Sequence, residues 1–127
     1  MPVRLAGIDA PEYRQPFSRK ARQALTDLTL EKEVRLECNK IDPYHRRVCK
    51  VFVQPPSCPS CGKTLDAGLT MLTLGLAWWY RYYAHEQSPQ DAGAYEFAEF
   101  EARAKKAGLW RVKNPTPPWK WRQRQRK

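Results

Sequence analysis

Two periods of apolar and polar residues divide this chain. Val3–Ile8 is β-like, and the segment ends in a cluster of turn formers, Gly7, Pro11 and Pro16. From Ser18 to about Leu30 the period becomes helical. Ala21, Ala24, Leu25 and Leu28 recur on one face opposite Arg19, Arg22 and Gln23, with Ser18 as the expected N-cap. EVRLEC then alternates, with Val34, Leu36 and Cys38 facing one way and Arg35 and Glu37 the other, which predicts a half-buried strand. NKIDPYHRR reads as a polar loop with turn chemistry at Asp42-Pro43, and VCKVFV as a second strand. QPPSCPSCGK is a rigid, proline-rich connector. Thr64–Leu74 predicts a helix with Leu65, Leu69 and Leu72 on one stripe, closed by Gly75. After the aromatic run AWWYRYYA, a third helix opens with Ser88 as cap, Pro89 at the first helical position and Asp91 near the positive end, and stops at Gly108.

Composition adds a length of 127 residues, suited to one domain, and a formal charge of +10. A field of that sign attracts phosphates or acidic lipid. No apolar run is long enough for a membrane span, so no membrane partner is expected. The opening MPVRLAG has no apolar core of a signal peptide, which leaves location open. Residues 1–112 are expected to form the folded domain. Residues 113–127 are proline-rich and then basic, and read as a flexible tail whose Lys113, Lys120, Arg122, Arg124, Arg126 and Lys127 either add non-specific phosphate contacts or merely solubilise the chain. Of the four cysteines, Cys58 and Cys61 form a C-P-S-C-G turn like a zinc knuckle. Cys38 and Cys49, on neighbouring strands, are candidates to complete a four-sulfur structural zinc site. Disulfides and free thiols are the alternatives.

VRLAGIDAPE, DPYHRR, GLAWWYRYYA and EARAKKAGLW occur in that order, and together they resemble the staphylococcal-nuclease-like (thermonuclease) family from Val3 to about Trp121. The resemblance implies an α+β fold, a five-stranded OB barrel with three helices packed on it, and calcium-dependent hydrolysis of DNA and RNA phosphodiesters. It places Asp9 as a direct carboxylate ligand of Ca²⁺ and Ala10 as a donor of its backbone carbonyl. Glu12 becomes the carboxylate that handles the attacking water. Oxygen-only ligands suit a hard cation. Arg4 and Arg46 match the two family arginines, whose planar forks fit phosphate and stay charged at any working pH. Arg47 is expected to point away. Tyr44 and Tyr83 correspond to tyrosines near the bound nucleotide. No obligate protein partner is evident.

Relatives carry an upstream strand pair with a DGDT-type turn that gives the metal a second Asp, and this sequence begins after that point. The expected barrel therefore lacks its N-terminal strand pair, and the calcium site lacks one charged ligand. A start placed too far downstream is the preferred explanation, and a genuine truncated variant the alternative. The functional expectation is a nuclease. Its competitors are a nucleic-acid-binding module without turnover and a zinc-stabilised adaptor built on CPSCG.

Overall fold

A computed structural model describes residues 1–126. In chain order the elements are β1 (Val3–Leu5), β2 (Ile8–Asp9), α1 (Ser18–Thr29), β3 (Arg35–Ile41), β4 (Arg47–Val53), β5 (Leu65–Asp66), α2 (Ala67–Thr73), β6 (Trp78–Trp79), α3 (Pro89–Ala104) and α4 (Pro118–Gln125), with short 3₁₀ turns at Arg81–Glu86 and Gly108–Arg111. The class is α+β. A mixed four-stranded sheet runs β1-β4-β3, with β5 also pairing to β4, and a separate two-stranded sheet joins β2 to β6. Among the described residues no strand pairing closes the two sheets into a barrel.

The first strand breaks in two. Gly7 has φ of 78°, which side-chain-bearing residues adopt only with strain, and a Cβ there would lie 2.4 Å from the Gln87 side chain and have to displace it, so glycine suits the turn. The break sends the chain from one sheet to the other. Arg4 pairs with Val48 in the parallel β1–β4 ladder, whereas Asp9 pairs with Trp78 in the antiparallel β2–β6 ladder.

β3 corrects the expectation of a half-buried strand, since all seven of its residues are exposed. It is an edge strand, and its alternating apolar residues have no layer to pack against. The buried side chains belong to β4: Val48, Cys49, Val51 and Val53. Cys38 and Cys49 are direct cross-strand partners with Cα atoms 4.0 Å apart, and they form a disulfide. Cys58 and Cys61 close a turn on each other in a second disulfide. With each sulfur bonded to another, the disulfide alternative holds for both pairs, and the four do not assemble into the candidate zinc site.

Helix ends also differ from their sequence signals. Phe17, not Ser18, caps α1, in a left-handed conformation with φ of 70°. α2 starts at Ala67 rather than Thr64, because Asp66 caps it by accepting from the Leu69 N–H at 3.1 Å. α3 opens as expected on Ser88 and Pro89 but ends at Ala104, and Lys106 (φ 55°) turns the chain before Gly108 is reached. Gly108 instead packs on Gly75, backbone against backbone, and the Leu109 N–H donates to the Gly75 carbonyl at 2.8 Å. A Cβ on Gly75 would lie 2.2 Å from the Ala107 oxygen, at a φ of 72°. Gly75→Ala is therefore expected to lower the unfolding free energy by about 2 kcal/mol or more, as read from urea denaturation.

One core cluster gathers Ile8, Ala21, Met71, Leu72, Ala77, Trp79, Tyr95 and Ala98 between the sheets and α1–α3. A second gathers Trp78, Ala102, Leu109 and Trp110. Trp119 packs on this second cluster and stacks on Tyr80, with ring centroids 4.3 Å apart and planes within 1°. That contact explains why residues 118–125 form a docked fourth helix where the sequence reading expected a flexible tail and three helices in all. Lys127, one of the basic residues singled out there, lies outside the described residues. Among the described residues no helix is long and apolar enough to cross a membrane.

Candidate active site

β1, β2, the Asp42–Arg46 turn, the Arg81–Glu86 turn and α4 enclose an open cleft of about 840 Å³. Arg4, Asp9, Ala10, Glu12, Tyr44, Arg46 and Tyr83 all line it. The residues singled out across eighty positions of sequence thus share one site. Cys58 and Cys61 do not contribute, and neither does the exposed Arg47.

One wall is cationic. The Arg4 side chain is only 9% exposed. Its Nε donates to Asp42 Oδ2 at 3.2 Å, and its Nη2 donates to both Glu86 oxygens at 3.1 and 2.9 Å. Its Cζ lies 3.9 Å from the centroid of the Tyr83 ring, so this tyrosine braces the arginine. Nη1 is buried without a hydrogen-bond partner. Burial works against the Arg4 charge, but the hydrogen bonds and negative charge of Glu86 outweigh it and raise the pKa.

Asp42 organises this wall. Its Oδ2 accepts from Arg46 Nε at 2.8 Å as well as from Arg4. Its Oδ1 accepts the backbone N–H groups of Tyr44 and Arg46 at 2.9 and 3.0 Å. Burial pushes its pKa up, but the donors from Arg46, Arg4 and Tyr44 prevail and hold it at about 2. Glu86 is likewise held below its ordinary range. Burial raises it, and Arg4 and Lys40, whose Nζ lies at 2.9 Å, more than offset that.

The facing wall is acidic. Asp9 ends β2 and Glu12 follows the Pro11 turn. Both carboxylates meet a single guanidinium, Arg122 of α4. Nη1 donates to Asp9 Oδ1 at 3.2 Å and to Glu12 Oε1 at 2.8 Å, and Nη2 donates to Asp9 Oδ2 at 2.7 Å. Gln15 ties this loop to the C-terminal segment: its Oε1 accepts from the Glu12 N–H and its Nε2 donates to the Thr116 carbonyl, each at 2.8 Å. Burial lifts the Asp9 pKa above the usual carboxylate range, and Arg122 opposes that only in part.

Sequence reasoning missed Asp42, Glu86 and Arg122 as members of the site. In the sequence Asp42 reads as turn chemistry, and nothing in AHEQSP marks Glu86 as buried. For Arg122 a signal existed: Trp119 and Trp121 flank the basic positions, and such rings anchor a segment rather than solubilise it.

A family profile described as staphylococcal nuclease homologue matches residues 2–112. A micrococcal nuclease of Shigella flexneri is 44% identical over 122 residues, covering 94% of this chain and 67% of that protein. An uncharacterized endonuclease of Haemophilus influenzae is 36% identical over 124 residues, covering 98% and 61%. A probable staphylococcal-like nuclease of Oryza sativa, CAN3, is 35% identical over 126 residues, covering 98% and 29%. The chain thus spans about two thirds of the length of these bacterial relatives and less than a third of the plant one.

Proposed function

The chain belongs to the staphylococcal nuclease homologue family, and from that premise we propose that it is an endonuclease that hydrolyses the phosphodiester bonds of DNA and RNA with the help of calcium. The observation that carries this reading is the unpartnered Nη1 of Arg4. Arg4 lines the cleft, spends two of its nitrogens on carboxylates and leaves the third, shielded from solvent, without an acceptor, which an entering phosphate would supply once the groups covering that nitrogen yield. The net charge of +10 favours an anionic polymer as the source. The two sheets are read as part of the family's OB barrel, with residues 1–112 as the nuclease domain. The parallel β1–β4 pairing supports this by setting Arg4 beside the strand that follows Arg46.

Glu12 orients a water and takes its proton. The hydroxide attacks phosphorus in line with the leaving oxygen, whose bond to phosphorus breaks, and that oxygen takes up a proton from solvent. Arg4 and Arg46 donate to the phosphate oxygens that gain charge, with aim already fixed by Asp42, so little reorganisation remains to oppose the reaction. Tyr44, 73% exposed, offers a ring on which a base stacks.

The donor set fits a hard divalent cation. Asp9 Oδ1, Asp9 Oδ2 and Glu12 Oε1 converge closely enough for one guanidinium to engage all three, and all are oxygens. Asp9 and the Ala10 carbonyl would hold the ion. When bound, Ca²⁺ supplies Lewis-acid polarisation of a phosphate oxygen. A second reading, a binding module without turnover, draws on the same contacts, since Arg122 already neutralises both carboxylates.

Plasmid degradation in calcium against EDTA separates the two readings, because the binder leaves the plasmid intact in both. In the same assay Arg46→Ala is expected to lower the rate by about 10². Its side chain is 37% exposed and held by one ion pair, so DNA binding in a gel-shift assay should change little. Undiminished turnover would remove Arg46 from the mechanism.

A further inference from the structure

We infer that Arg122 is a built-in counter-ion of the Asp9–Glu12 pair which a divalent cation must displace, so that cation binding also loosens α4 from the cleft. This rests on the reading of Asp9 as a metal ligand.

Two carboxylates in a partly buried site repel one another unless positive charge stands between them. Here that charge comes from a residue 110 positions away from Glu12 and 113 from Asp9. The Arg122 fork consumes both Asp9 oxygens and Glu12 Oε1. A calcium ion takes carboxylate oxygens at about 2.3–2.6 Å. The guanidinium holds one lone pair of each Asp9 oxygen, at 3.2 and 2.7 Å, and a calcium ion on the same atoms would stand close enough to be repelled by it. The two cations therefore compete for the pair.

The consequence reaches the helix beyond its first turn, which buried Pro118 and the packing of Trp119 on Trp78 hold independently. α4 has eight residues, too few to be stable without tertiary contacts. Its contacts on the cleft side are the three Arg122 hydrogen bonds and the Trp119–Tyr80 stack, and Gln15 holds the segment just before it. Losing the Arg122 bonds removes the charged half of that attachment. The released guanidinium, with Gln123 and Arg126 on the same rim, remains in the cleft as a further donor for phosphate.

Calorimetric titration of CaCl₂ into the whole chain tests this without any turnover, with wild type, Arg122→Met and Asp9→Asn compared. Arg122→Met is expected to bind calcium about ten- to a hundredfold more tightly than wild type, the equivalent of one charge-assisted hydrogen bond no longer lost on binding. Hydrogen exchange on the wild type needs no variant: saturating calcium should speed exchange of the 122–125 amides while the core amides hold. Equal or weaker calcium binding by Arg122→Met, or α4 exchange unchanged by saturating calcium, overturns the inference. If Asp9→Asn still abolishes binding in those cases, the metal reading survives alone. If Asp9→Asn leaves calcium binding intact, the metal reading falls and the inference with it.

Discussion

Replacing Arg4 with alanine is expected to slow phosphodiester hydrolysis by about 10³ and to destabilise the fold by about 3 kcal/mol. The two effects have different origins. The rate loss comes from Nη1, the donor with no partner in the resting protein. The stability loss comes from the other side of the guanidinium. Glu86 is 7% exposed and Asp42 5%, and without Arg4 each keeps its charge in a buried place with fewer donors. Arg4→Lys separates the two. A lysine keeps the charge near Glu86 but cannot donate in a fork to Asp42, Glu86 and a phosphate at once. It should recover part of the stability in urea denaturation and little of the single-turnover rate. A lysine variant with nearly full activity would mean that charge alone matters at this position, and the argument from the free nitrogen would fail.

What the sequence revealed about the site and what it hid divide along a physical line. Asp9, Ala10 and Glu12 lie within one turn, and Tyr44 and Arg46 within another, so short motifs carry their local geometry. The Ser88–Pro89 start of α3 is local in the same way, because a cap and its helix are neighbours in the chain. The ion pairs that orient these groups are not local. Arg4 meets Glu86 across 82 positions, and Arg122 meets Asp9 across 113. Charge sign along a chain does not say which partner it will find, so Glu86 looked like a loop residue and Arg122 like a tail residue. β3 failed for a related reason. Alternation reports which face of a strand is apolar, but burial needs a second layer, and at this sheet edge none covers it.

The long-range pairs also show how a strongly cationic chain holds its site carboxylates. Asp42 and Glu86 are ringed by Arg4, Arg46 and Lys40 and are favoured as anions. Asp9, although bound by Arg122, is disfavoured as an anion because burial outweighs that contact. The first two therefore act as fixed charges that aim arginines. Asp9 differs from them: its charge is met by one guanidinium, that of Arg122, in a place where burial works against the anion.

Asp42→Asn should isolate that aiming role. Asparagine keeps an oxygen for the backbone N–H groups of Tyr44 and Arg46, so the turn survives, but it no longer draws Arg4 and Arg46 by charge. With both guanidiniums less well aimed, the rate should fall by between about 10² and 10³, with a smaller change in substrate binding. Acid stability gives an independent readout. The folded-state pKa of Asp42, about 2, lies below its ordinary 3.8, so the folded state favours the ionised form. Its stabilisation is complete above 3.8 and is lost as pH falls through about 2, because the unfolded chain binds the proton first. Wild type should therefore lose stability more steeply than Asp42→Asn across that window. Glu86, whose pKa is also depressed, titrates in the same direction in both proteins, so the difference between the two curves reports residue 42 together with its coupling to Glu86 through Arg4. Parallel curves, together with an undiminished rate, would show that Asp42 only shapes the turn and that Arg4 and Arg46 are aimed by something else.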